Sequence, residues 1–322
     1  MHARTIILGL LAPLLPFGQA AWGQPSITPR PRPSAAEPAR PSSNIRVDSS
    51  LVLVPVTVCD PNNRPVIGLE KEHFRVFDDK VEQAVTHFAM EDEPLAVGLV
   101  FDTSGSMGPK LRRSRMAAAE FFHQANPADE FFLVEFNDQP RLVVPLTRST
   151  EEIQNQLTFT TSRGRTALLD AILLAMNEMK KSKMNRKALL IISDGGDNAS
   201  RYTEAEVRSR VREGDVLIYA LGIFEPYGSR SRSPEELSGP GLLNDLAEQS
   251  GGRHLPVEDL SELPDIAAKI GIELRNRYLL GYSPTDRTRD GRYHHVRVQV
   301  VPPHGLPPLR AYWRTGYYAP TQ

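Results

Sequence analysis

Leu99-Val-Phe-Asp-Thr-Ser-Gly-Ser-Met107 decides how this chain is read. An apolar run, Leu95 to Phe101, stops at Asp102, and Ser104 and Ser106 follow at two-residue spacing with Gly105 between them. A buried strand that runs out into a carboxylate and two hydroxyls presents three hard oxygen donors on one tight loop. Such donors suit Mg²⁺, Mn²⁺ or Ca²⁺ rather than copper or zinc. Alone, the Asp-x-Ser-Gly-Ser pattern also suits a turn or a helix cap, because Asp and Ser favour both.

Outward from this stretch the chain alternates strand and helix. Lys110 to Gln124 reads as a helix, Glu130 to Phe136 and Leu142 to Leu146 as a strand pair, and Thr166 to Lys181 as a helix with Leu168, Leu169, Ile172, Leu173 and Met176 at three- and four-residue spacing. Ala188 to Ile192 is a continuous apolar run, as in a central parallel strand covered on both faces. Thr203 with Glu206 three residues on forms a capping box. Val216 to Ile223 reads as a buried strand, and Leu242 to Gln249 as a helix stopped by Gly251-Gly252. A short strand at Arg253 to Pro256 and a helix over Leu260 to Arg275 complete the set. The expected fold is therefore α/β: a doubly wound, mostly parallel sheet with helices on both faces, over residues 94–275.

In such folds ligands gather at the carboxyl ends of the strands. Two further loops bring oxygen donors there: Thr166, at the head of the long amphipathic helix, and Asp194, in Ile192-Ser-Asp-Gly-Gly-Asp197. With Asp102, Ser104 and Ser106 these make five positions, and on them the chain resembles the von Willebrand factor type A domain with its metal-ion-dependent adhesion site. The family pattern is Asp-x-Ser-x-Ser on the first loop, Thr on the second and Asp on the third. The resemblance implies that Asp102, Ser104, Ser106, Thr166 and Asp194 hold Mg²⁺, with Mn²⁺ or Ca²⁺ as alternatives. It further implies that an open coordination position takes an Asp or Glu from a partner protein. Tyr278-Leu-Leu-Gly-Tyr282 and Arg314-Thr-Gly-Tyr317 also resemble the close of a bacterial VWFA-related group.

The flanks read as strands only. Residues 45–93 carry Leu51 to Val58, where Pro55 argues for an edge position, and Phe74 to Phe77, followed by a turn at Asp78-Asp79-Lys80. Val85 and Phe88 suit a further strand. Residues 276–322 carry Tyr278 to Tyr282, His295 to Val300 and Leu309 to Trp313. Neither set is self-sufficient, so the two are expected to build a small β-sandwich with the α/β domain inserted in its sequence.

The 322 residues suit a medium domain plus a smaller one, and a net charge of -1 gives no general pull toward nucleic acid. Residues 1–23 read as a signal peptide: His2 and Arg4, a short apolar stretch from Ile6 to Phe17, then Ala20, Ala21 and Gly23. The rival reading is an uncleaved anchor. No later segment is apolar enough to cross a membrane. The expected destination is the cell envelope, periplasm or exterior. Residues 24–44, with six prolines from Pro25 to Pro41, read as an extended linker. The single cysteine, Cys59, excludes an internal disulfide and reads as a buried, inert thiol.

Several features carry weaker expectations. Arg163 and Arg165 beside Thr166 would favour an acidic ligand. The segment Glu225 to Gly241 reads as a long disordered loop. Asp197 reads as a turn residue that reaches solvent, and His294-His295 as an outer-strand pair with no spaced carboxylates to make a zinc site. The protein is expected to bind rather than to catalyse. A metal-dependent hydrolase is one rival, set back because no His or Lys is read beside the loops. A scaffold with a purely structural metal is the other.

Overall fold

All eight residues of Leu95–Asp102 are buried in the computed structural model, which describes residues 51–91, 93–224, 234–286 and 288–321. A strand with no exposed face must be covered on both sides, and the chain is arranged accordingly. The elements run β1 (Val52–Cys59), β2 (Phe74–Asp78), β3 (Val81–Gln83), β4 (Val85–Glu91), β5 (Leu95–Asp102), α1 (Leu111–Phe122), β6 (Glu130–Phe136), β7 (Pro140–Thr147), α2 (Thr150–Thr158) and α3 (Leu168–Met179). There follow β8 (Arg186–Ser193), α4 (Glu204–Glu213), β9 (Leu217–Ile223), α5 (Pro234–Ser250), β10 (Arg253–Val257), α6 (Leu263–Arg275), β11 (Arg277–Tyr282), β12 (Tyr293–Val300), β13 (Arg310–Trp313) and β14 (Gly316–Tyr318).

The large sheet has the order β10-β9-β8-β5-β6-β7, parallel throughout except for the antiparallel edge strand β7. Alternate residues of β5 serve two cores. Leu95, Val97, Leu99 and Phe101 pack with α1, α2 and α6, whereas Ala96 and Val100 pack with α3, α4 and α5. This is the doubly wound α/β fold expected from the sequence. The helix α2 was not legible: only Ile153 and Leu157 on it are buried, too few to mark a period, and Ser149 caps it through Glu152 N at 3.2 Å. The capping box of α4 is present in both directions.

The chain ends build two antiparallel four-stranded sheets, β13-β1-β11-β4 and β14-β12-β2-β3. Both mix N- and C-terminal strands around one apolar cluster that includes Val56, Phe74, Val76, Tyr278 and Leu280. The edge position expected for β1 is corrected, since it lies between β11 and β13. Pro55 is tolerated because pairing with β13 begins only at Val56, so Pro55 itself pairs with β11 alone. The strand β14 was missed; three residues are too short for a period-two pattern.

A buried polar cluster joins the sandwich to the large sheet. Arg253 of β10 meets Glu273 of α6 at 2.6 Å, donates to Asn63 Oδ1 at 2.7 Å, and lies 4.2 Å from the Tyr312 ring centroid. Tyr219 donates to Glu273 at 3.0 Å. Cys59 lies beside this pair, fully buried, its thiol pushed up to about 12 by burial and then by Glu273. A buried thiol so raised is a poor nucleophile.

The signal peptide at 1–23, the linker at 24–44 and the start of the β segment at 45–50 lie outside the described residues, as do 225–233 of the long loop. The rest of that loop is corrected: residues 234–241 are the first turns of α5 despite Pro240. A tertiary contact overrides local propensity there. A Cβ on Gly195 would lie 2.9 Å from the Gly239 carbonyl carbon, so only two glycines allow the backbones to meet. No helix among the described residues is long and apolar enough to cross a membrane.

Candidate metal centre

From β5 the chain winds toward β6 and from β8 toward β9, so the adjacent ends of β5 and β8 open a crevice where the winding reverses. Asp102 is the last residue of β5 and wholly buried, while Ser193 is the last residue of β8, with Asp194 directly after it. The Ser193 hydroxyl donates to Asp102 Oδ2 at 2.6 Å, and Ser104 N donates to Asp102 Oδ1 at 2.8 Å. The chain then turns so that Ser104 Oγ and Ser106 Oγ lie 3.1 Å apart. Ser104 is buried and Ser106 exposed, so the oxygen pair leads from the carboxylates to the surface.

Thr166 closes the third side. Its loop is bound to the first by Arg163 N to Thr103 O at 2.8 Å and Gly105 N to Gly164 O at 3.0 Å. Gly164 has φ +78, a conformation that favours glycine, and a Cβ there would have to push the Asp138 carboxylate aside. Thr166 N donates to Asn198 Oδ1 at 2.9 Å, and Asn198 N returns a bond to Thr166 O at 2.9 Å. The loops bearing Asp102, Thr166 and Asp194 are thus joined pairwise, with Asp102, Ser104, Ser106 and Asp194 in direct or electrostatic contact and Thr166 held through its backbone.

One group escaped the sequence reading. Lys110, four residues after Ser106, is buried and donates from Nζ to Asp194 Oδ2 at 3.1 Å. The expectation of no Lys beside the loops is therefore corrected. Lys110 opens α1 and looked like an exposed first-turn residue, and only the tertiary fold turns it onto β8. Even so, burial, reinforced by Asp194, pushes Asp102 up to about 7. Asp197 is corrected as well. It is half-buried, and its Oδ1 accepts from Leu169 N at 3.2 Å and Ser200 Oγ at 2.6 Å. With Ser200, which accepts from Asp170 N at 3.1 Å, it caps α3, whose own N-cap Ala167 has no side-chain oxygen. Arg163 and Arg165 are exposed on the rim, and Arg165 leans on Asp138, with N–H to Oδ1 at 3.0 Å.

The donor set suits a hard divalent cation. Asp194 is paired with the Lys110 ammonium, whereas the buried Asp102 carboxyl is held only by neutral hydroxyl and amide donors. The neighbouring oxygens are neutral hydroxyls of the kind such ions accept.

A family model described as von Willebrand factor type A domain matches residues 97–196. Among curated proteins, inter alpha-trypsin inhibitor heavy chain 4 of Mus musculus is 29% identical over 157 residues, covering 43% of this chain and 17% of that protein. Inter-alpha-trypsin inhibitor heavy chain H4 of Bos taurus is 26% identical over 145 residues, 40% of this chain and 16% of that one. The chain thus spans about a sixth of the length of these relatives. Among solved structures, a von Willebrand factor type A protein from Catenulispora acidiphila aligns with 12% identity and a TM-score of 0.49, covering 84% of this chain and 73% of that one.

Proposed function

Because this chain carries a von Willebrand factor type A domain, we propose that it works as an exported, cation-dependent protein-recognition module. Such domains typically mediate protein–protein interaction or adhesion. The observation that carries the finer reading is the meeting of Asp102 and Asp194, from the ends of two adjacent strands, beside the Ser104–Ser106 oxygen pair that leads to the surface.

In this reading Asp102, Ser104, Ser106, Thr166 and Asp194 hold Mg²⁺, with Mn²⁺ or Ca²⁺ as substitutes. The ion supplies an electrophilic position that a carboxylate of a partner protein fills. The residues of the chain have separate tasks. Ser193 and the Ser104 amide fix the Asp102 carboxylate, and Lys110 fixes Asp194. The loop capped by Asp197 and Asn198 holds Thr166 against the first loop. Arg163 and Arg165, on the rim, favour approach of an acidic surface.

We place the protein among binders rather than enzymes: Lys110 is engaged with Asp194, so it is no free base for a hydrolase. Export through residues 1–23 belongs to the same proposal. The test is capture of partner proteins from envelope extract by the immobilised chain in Mg²⁺, followed by elution with chelator. The reading requires capture to vanish in chelator and in Asp102→Ala, while circular dichroism shows the variant folded. Undiminished capture in chelator would overturn it.

A further inference from the structure

A second constellation lies in the β-sandwich, around His294. Asp78 ends β2, Asp79 begins the turn to β3, and β12 runs antiparallel beside them, so that Asp78 pairs with Val296 and the preceding His294 sits next to both acids. The carboxylates absent from His294's own strand arrive from the neighbouring one, which corrects the reading that excluded them.

Each carboxylate has one oxygen anchored and one turned to the imidazole. Asp78 Oδ2 accepts from the Tyr282 hydroxyl at 3.0 Å and the Tyr317 hydroxyl at 2.9 Å. Asp78 Oδ1 lies 3.5 Å from His294 Nδ1 and is buried without a hydrogen-bond partner, in a residue only 6% exposed. Asp79 Oδ1 accepts from His295 N at 3.0 Å, and its Oδ2 lies 3.0 Å from His294 Nδ1. The Tyr317 ring stacks on the imidazole at 5.4 Å and fixes its plane.

Hydrogen bonding within the group does not complete this arrangement. Nδ1 makes its close contact with Asp79, at 3.0 Å, and the buried Asp78 Oδ1 has no hydrogen-bond partner. A cation shared by the three atoms satisfies each of them. Metal–nitrogen and metal–oxygen bonds of about 2.0–2.2 Å place tetrahedral ligand atoms roughly 3.3–3.5 Å apart. The observed 3.0 and 3.5 Å bracket that edge. The tyrosine hydroxyls on Asp78 Oδ2 are the outer partners that orient a ligating carboxylate. His294 and Tyr317 also line a cavity of about 460 Å³, so one side of the group borders open space.

We propose that Asp78, Asp79 and His294 form a second cation site, separate from the β5–β8 crevice and of the imidazole-and-carboxylate class that takes Zn²⁺ or a similar first-row transition ion. It clamps β12 to the β2–β3 turn and so ties the C-terminal strands of the sandwich to the N-terminal ones.

The test uses the full chain carrying Asp102→Ala, so that the crevice makes no contribution. Zn²⁺ is titrated calorimetrically, and Co²⁺ is added as a spectroscopic probe. One equivalent of Zn²⁺ is expected, with visible Co²⁺ bands of a low-coordinate nitrogen–oxygen site. Asp79→Asn, in a half-exposed side chain that leaves the core untouched, is expected to weaken binding at least tenfold, and His294→Ala to abolish it. Tyr317→Phe is expected to weaken binding while keeping the stoichiometry. Zn²⁺ binding that Asp79→Asn and His294→Ala leave unchanged overturns the proposal, as does failure of the parent to take up Zn²⁺ at 100-fold excess while circular dichroism shows it folded.

Discussion

The Lys110 ammonium and the Asp194 carboxylate meet at 3.1 Å with both side chains less than a tenth exposed. Lys110 therefore stands as a tethered counter-ion in a crevice whose donors suit a divalent cation. Replacing it separates its two effects. In chelator, Lys110→Met leaves Asp194 buried without its positive partner and is expected to cost about 3–5 kcal/mol. In Mg²⁺ the ion takes over that role, so the Mg²⁺-induced rise in Tm is expected to be larger in the variant than in the parent. Equal rises would show that Lys110 plays no part in the balance of charge.

Asp197 stitches the third loop to the start of α3. Asp197→Ala removes the acceptor of Leu169 N and Ser200 Oγ. Loss of such a cap costs about 1 kcal/mol, or roughly 2–4 °C in Tm for a domain of this size. Because Thr166 sits just ahead of that helix, Mg²⁺-dependent capture should weaken as well. Thermal unfolding and capture measured on the same preparation check both.

His254 makes one contribution to the pH dependence of stability. Burial alone lowers its pKa from 6.5 to about 4, its Nε2 is buried without a partner, and its ring meets Phe224 edge-on at 5.8 Å. The neutral form is the one the fold accepts. Its contribution is thus complete above about pH 6.5 and is lost as pH falls toward 4. His254→Phe is expected to flatten the decline in denaturant midpoint between pH 6.5 and 4, relative to the parent. Superimposable profiles would refute the assignment.

Arg253 and Glu273 hold the sandwich to the large sheet, and burial, set against Arg253, still raises the Glu273 pKa. Glu273→Ala strands the guanidinium and is expected to cost about 3–5 kcal/mol, whereas Arg253→Met with Glu273→Leu should recover most of that. A double-mutant cycle by urea unfolding measures the difference. Additive effects would mean that the two charges do not act as a pair.

The α/β fold was legible because β5 and β8 are unbroken apolar runs, and because the α3 region repeats at three and four. The crevice residues were legible because Asp102, Thr166 and Asp194 each follow a strand or open a helix. What was missed has no local signature. The helix α2 buries two apolar side chains, β14 has three residues, and Asp197, which looks like a turn residue, caps a helix 28 positions earlier.

By itself the sequence determined the alternation of strands and helices, the donor types of the crevice and the sharing of the sandwich between the two chain ends. Hydrophobic period and loop chemistry are local properties, and a single stretch carries them. Only the tertiary structure decided that Lys110 faces Asp194, that Pro55 lies inside a sheet, and that Asp78 and Asp79 meet His294 across more than two hundred residues. Those outcomes depend on strand order and register, which arise when distant segments bury their apolar faces together and which no single segment encodes.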